Sequence, residues 1–177
     1  MKAINLLFLT ALLLNSHLVV HAQNNEVEKE LGNDFISFFT GKWYGTGEFA
    51  SGKPIEANLS FEMTLDSAWV IYHHIDKKPN SFKATSMWGK DNQTGEFIAY
   101  IFDNFKGHRK FSSEGWLKGR LVLFAERTHS SGKTYFEHFV YEKLNQDSFK
   151  MTYEVSGDNE NWRMVDYLVF KRISESS

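Results

Sequence analysis

Gly41-Lys42-Trp43-Tyr44-Gly45-Thr46-Gly47-Glu48-Phe49, followed after Ser51-Gly52-Lys53-Pro54 by Ile55-Glu56-Ala57-Asn58-Leu59-Ser60-Phe61-Glu62-Met63-Thr64-Leu65-Asp66, decides the fold. In the second run every odd position is apolar and every even position is polar, the period of a strand with one dry face and one wet face. A helical period near 3.6 would scatter both classes around the axis. In the first run, glycines stand where other residues would carry bulk. Two long strands joined by a turn therefore begin an antiparallel sheet whose dry face must be covered.

The strand-and-turn rhythm continues to the end of the chain. Strands are predicted at Trp69 to Asp76, Phe82 to Trp88, Phe97 to Asp103, Phe111 to Leu117, Leu121 to His129, Tyr135 to Leu144, Phe149 to Val155 and Trp162 to Arg172. Between them lie turn formers such as Lys77-Lys78-Pro79-Asn80, Asp91-Asn92-Gln93-Thr94-Gly95, Lys118-Gly119 and Gly157-Asp158-Asn159-Glu160-Asn161. About ten short-linked strands are expected to form an up-and-down sheet. Closing it into a barrel, with the last strand beside the first, removes the two unpaired edges. One helix is expected ahead of the sheet: Phe35, Phe38 and Phe39 share a helical face, Asn33 or Asp34 supplies a cap, and Gly41 ends the element. It reads as a lid or plug over one end of the barrel. The domain spans 33–173, with a loose polar stretch at 23–32.

Residues 1–22 read as an export signal, with Lys2, the apolar run Leu6 to Leu14 and a Val20-His21-Ala22 cleavage pattern. The run is too short to cross a bilayer. An exported, periplasmic or secreted protein is the expectation. Without that segment the chain carries 19 basic against 22 acidic side chains, −3 with His neutral. That balance opposes a nucleic-acid role, which calls for clustered Lys and Arg, and no basic amphipathic helix suggests a membrane surface. The absence of cysteine excludes disulfides, thiolate nucleophiles and thiolate metal sites, leaving the core to hold an exported domain alone. The 16% aromatic content suits that task.

Gly41-Lys42-Trp43 before the first strand resembles the Gly-x-Trp signature of lipocalins and their calycin relatives. With Phe39-Thr40 ahead of it, Trp88-Gly89-Lys90-Asp91 in mid-chain and Ser156-Gly157-Asp158-Asn159-Glu160-Asn161-Trp162 late, the chain is similar to the bacterial DUF1579 lipocalin-like proteins, a group without an established activity. The resemblance covers roughly Phe35 to Arg172. It implies a lipocalin-like or fatty-acid-binding-protein-like barrel in which Trp43 packs near the floor against a basic residue of the final strand, Arg172, beside Lys171. Nitrobindin-like haem barrels are more distant relatives. Their haem-ligating His lies near the C-terminus, whereas here no His follows His138, so no cofactor is assigned.

His73 and His74 are adjacent and point to opposite faces of a strand, so they do not share a metal; no metal site is assigned. If Trp69 and Ile71 face inward, His73 does too. Arg127 follows Leu121, Leu123 and Ala125 at period two, Glu137 lies between Tyr135 and Phe139, and Asp166 between Met164 and Leu168. The hairpin from Leu121 to Leu144 is placed to bring Arg127 and Glu137 together, as a buried ion pair or as an anchor for a ligand carboxylate. These strands are apolar on both faces, and parity alone leaves open whether the three face inward or lie in water. Gly-x-Ser-x-Gly, a phosphate-binding glycine loop and His-Glu-x-x-His are missing, and no catalytic residue is assigned.

The expected function is the binding of a small, largely apolar molecule inside the barrel, among His73, Trp88, Tyr100, Arg127, Glu137 and Tyr153, with Trp69, Phe82 and Phe170 also lining the interior. Two alternatives stand beside it: a solid-cored structural or protein-interaction module, and an enzyme working at the barrel mouth.

Overall fold

The computed structural model describes residues 30–174. The export-signal reading and most of the loose stretch at 23–32 lie outside them. A helix, α1 (Asn33–Phe39), precedes ten strands: β1 (Gly41–Phe49), β2 (Pro54–Thr64), β3 (Trp69–Asp76), β4 (Lys83–Lys90), β5 (Phe97–Asp103), β6 (His108–Ser113), β7 (Arg120–Thr128), β8 (Thr134–Asn145), β9 (Ser148–Ser156) and β10 (Trp162–Arg172). Every neighbouring pair is antiparallel, and β10 returns to β1, closing an up-and-down barrel. Chain order equals strand order around the wall, as short turns dictate. Three details depart from the sequence expectation. The sixth strand begins at His108 and ends at Ser113, because Trp116 leaves the wall to pack beneath it. Leu31, assigned to the loose stretch, is buried in the core, and Gly32 rather than Asn33 or Asp34 occupies the N-cap.

The helix plugs one end of the barrel. Phe35, Phe38 and Phe39 enter a set of rings contributed by the wall and the β6–β7 loop. Phe39 lies 5.1 Å from Phe61 and 5.1 Å from Trp116, Phe38 stacks on Trp116 at 5.3 Å, and Phe35 meets Phe97 edge-on at 5.4 Å. The floor is therefore solid. A helix of seven residues is too short to persist alone, so its geometry comes from these contacts and from the capping of its carbonyls. Trp43 donates its indole N–H to Phe39 O at 2.9 Å. Arg172 donates to Phe38 O at 2.7 Å and Thr40 O at 2.8 Å, and its guanidinium lies 4.1 Å above the Trp43 ring. Trp43 and Arg172 are also paired across β1 and β10. A helix end that carries no basic residue of its own thus takes its cation from the last strand.

Glycines tighten the same closure. A Cβ at Gly47 would stand 1.8 Å from Tyr167 O of β10, and one at Gly45 would strike the Phe170 ring at 2.3 Å. Only a bare backbone lets β1 come this close to β10.

One joint in the wall is made differently. β6 and β7 meet in register only at Ser112 and Phe124, whereas β5–β6 and β7–β8 are paired along their lengths. Across this seam, Arg109 of β6 and Arg127 of β7 both reach Glu137 of β8, at 3.5 Å and 3.7 Å. Glu137 is 3% exposed, and Tyr153 donates to its Oε1 at 2.7 Å. One carboxylate thus stitches two strands that lack a ladder.

Three outcomes follow for urea denaturation of purified protein. Gly47→Ala is expected to cost about 1–3 kcal/mol, because the neighbour it strikes is backbone. Arg172→Ala, which strands two helix carbonyls and an indole face, is expected to cost about 2–4 kcal/mol, with Arg172→Lys recovering less than half. Glu137→Gln leaves Arg127 without a counter-charge and Arg109 with Asp103 alone, and is expected to cost about 3 kcal/mol. In hydrogen exchange, the amides of His108 to Phe111 and Phe124 to Arg127 are expected to open first in that variant.

Candidate functional site

Above the aromatic floor the barrel is hollow. A cavity of about 480 Å³ opens at the end away from α1, lined by side chains that include Ile55, Ala84, Ile101, Phe139, Met151 and Leu168. Phe82 and Phe105 stack at its rim, with centroids 6.2 Å apart. A larger furrow of about 630 Å³ lies elsewhere, lined by Lys90, Thr94 to Phe97 and Ser112 to Gly115. The mouth cavity is the better candidate, because apolar walls and buried polar groups converge there.

Its polar groups come from five strands. On β3, Tyr72, His74 and Asp76 project inward in succession. Tyr72 lies 3.0 Å from His74 Nδ1, and His74 Nε2 lies 2.7 Å from Asp76 Oδ1. With Asp76 ionised, His74 donates through Nε2 and accepts the Tyr72 hydroxyl at Nδ1. Tyr141 of β8 lines the same cavity and interacts with Tyr72 from across the barrel. Burial pushes both phenols upward, Tyr72 far so, and keeps them as neutral donors. On β6, Arg109 also faces Asp103 at 3.3 Å. Asp103 itself accepts the backbone N–H groups of Phe105 at 3.0 Å and Gly107 at 2.9 Å, so this turn orients the carboxylate that orients the arginine. Burial, then the Glu137 charge, pushes the Tyr153 phenol up.

Asp166, on β10, is placed by a register shift between Met164 and Asp166 against β9, the kind of irregularity that re-aims a side chain. It lines the cavity. Burial, and secondarily the negative charge of Asp76, pushes its carboxyl up to about 7.

Of the residues singled out from sequence, Tyr153 lines this cavity, and Glu137 and Arg127 form the ion pair behind and beside it. Arg127 sits toward the rim, its side chain 35% exposed. Trp88 faces inward but belongs to the solid floor, fully buried with its N–H on Ser86 Oγ at 2.8 Å. His73 and Tyr100 do not face the interior. His73 pairs with Ser60 and Thr85 on the outer surface and bonds Thr85 Oγ1 at 3.0 Å. Tyr100 is 38% exposed beside Trp69, which is likewise outside. The cause is register. Directly paired residues share a face, and β2 commits Leu59 and Phe61 inward, which carries His74 and Tyr72 in and sends His73 out. Likewise Ala99 pairs with Trp88 and Phe111 inside, so Tyr100 goes outward. Of the remaining expected lining residues, Phe82 is at the rim and Phe170 is packed in the core against Phe149. Tyr72, His74, Asp76, Asp103 and Arg109 are site residues that strand alternation alone does not single out.

No family model matches the chain, and no curated protein matches it. Among solved structures it is similar to a redesigned β-barrel, 13% identical over 78% of this chain and 94% of that one, with a TM-score of 0.36. The fold stands on the strand pairing itself.

Proposed function

We propose that the protein is a small-molecule carrier or receptor that holds a compact, largely apolar ligand in the mouth cavity. The observation that supports this most is the division of the interior. Half is filled by rings, while the other half keeps about 480 Å³ lined by apolar walls and fixed polar groups. Interiors fill when nothing must be admitted, since an empty apolar void forfeits packing contacts. Arg109 adds to the case: it lines the cavity with its side chain only 10% exposed and is held in place between Asp103 and Glu137, a fixed polar group of the kind that orients a ligand.

The geometry revises one part of the expectation. Arg127 faces the Glu137 carboxylate at 3.7 Å as a charge pair, and Arg109 stands between the carboxylates of Asp103 and Glu137. A ligand carboxylate would meet guanidinium groups that are already neutralised, so the cavity is not built to anchor one. The lipocalin-like resemblance of Gly41 to Trp43 favours the carrier reading, and the pattern of residues 1–22 favours an exported compartment for it. A protein-interaction role finds support in one observation, the exposure of Ile75, Tyr100 and Phe102 on the outer wall.

Nile red titration is expected to show saturable binding with one site per chain. Ala84→Trp, which fills the cavity from its wall, is expected to weaken binding at least tenfold while the far-ultraviolet circular dichroism is retained. Undiminished binding by a folded Ala84→Trp protein would remove the cavity from consideration and favour the outer wall.

A further inference from the structure

Granting the cavity as a ligand site, we infer that its occupant is a basic amine: an amphiphile whose apolar body lies against Ile55, Ile101 and Phe139 and whose ammonium group is held by Asp166 with Asp76 nearby. The argument is one of charge and partners. Arg109 is matched by Asp103 and Glu137, and Arg127 by Glu137. Asp76 accepts from His74. Asp166 lines the same cavity, yet among the described residues it has neither a hydrogen bond nor an ion pair, and its interaction with Asp76 is repulsive. A carboxyl in an apolar cavity beside a second carboxylate is the arrangement in which an added cation gains most, because it replaces repulsion with two attractions.

The groups facing Asp166 set the pH response. They are Asp76 and His74 from β3, Tyr153 from β9, Arg109 from β6 and, at the solvent-exposed rim, Lys53. Tyr153 stays neutral in the neutral range because burial pushes its phenol up. Asp166 therefore loses its proton near pH 7. A primary alkylamine stays protonated throughout that range, so its affinity should rise with pH as Asp166 ionises.

The experiment is calorimetric titration of the full chain with dodecylamine, dodecanol and dodecanoate, each below its critical micelle concentration, at pH 8 and pH 5.5. At pH 8 dodecylamine is expected to bind on the order of tenfold tighter than dodecanol, and dodecanoate weakest. At pH 5.5 the amine's advantage over the alcohol should shrink toward parity. In Asp166→Asn the amine-to-alcohol affinity ratio at pH 8 should also fall toward one. If dodecanol or dodecanoate matches the amine in the wild-type protein at pH 8, or if the amine's advantage is the same at both pH values, the amine assignment is overturned and the cavity reading survives. If none of the three binds, both are overturned.

Discussion

A single side chain, Arg172, ties together the parts of this molecule that local sequence keeps apart. Its guanidinium covers the Trp43 indole, donates to two carbonyls at the end of α1, and belongs to the strand that closes the barrel on β1. A planar, permanently charged fork can stack and donate in two directions at once, which an ammonium cannot. Without it the carbonyl end of the helix would lose two of its donors, leaving the Trp43 N–H on Phe39 O and the ring packing to hold the plug. With it, barrel closure and floor placement become one cooperative event. The bare backbone at Gly45 and Gly47 serves the same junction by letting the two strands approach.

The floor and the mouth follow different rules because they contain different chemistry. Near α1 the inward positions are aromatic, and rings from the helix, the wall and a loop fill the space edge to face. Toward the mouth the inward positions become His74, Asp76, Arg109, Glu137, Tyr153 and Asp166, side chains that cannot close over one another without partners. They order themselves into two systems: a hydrogen-bonded chain from Tyr72 through His74 to Asp76, and an ion network around Glu137 and Arg109. Asp166 belongs to neither. Polarity thus keeps open a space that apolar residues would have filled.

The architecture was legible because it depends on period and turn chemistry, and both are local. Ile55 to Asp66 declares its faces without ambiguity, and β2 then orients its neighbours. The site was less legible because β3 and β5 are apolar on both sides, so that Trp69, Ile71 and His73 compete on equal terms with Val70, Tyr72 and His74. Pairing across the sheet decides between them, and the outer set loses because it faces Ser60 and Glu62 rather than Phe61. Arg109 escaped notice for a different reason. Its strand begins at His108 with a run of three basic or polar residues that carries no strand signal, and its partners Asp103 and Glu137 lie on other strands. The inward ion pair of Arg127 and Glu137 was accessible in outline because a single hairpin contains both residues.

The pairing of β1 with β10 also has a temporal side. Most strands can dock as soon as the next one leaves the ribosome, since each neighbours its successor in the chain. The plug helix and β1 emerge first, yet the guanidinium that fixes them is among the final residues of the wall. Until those residues arrive, the nascent sheet exposes two open edges and an unsealed set of rings, which makes closure a late, long-range step with high contact order. A growing chain of this kind relies on the speed of its last few residues to escape aggregation.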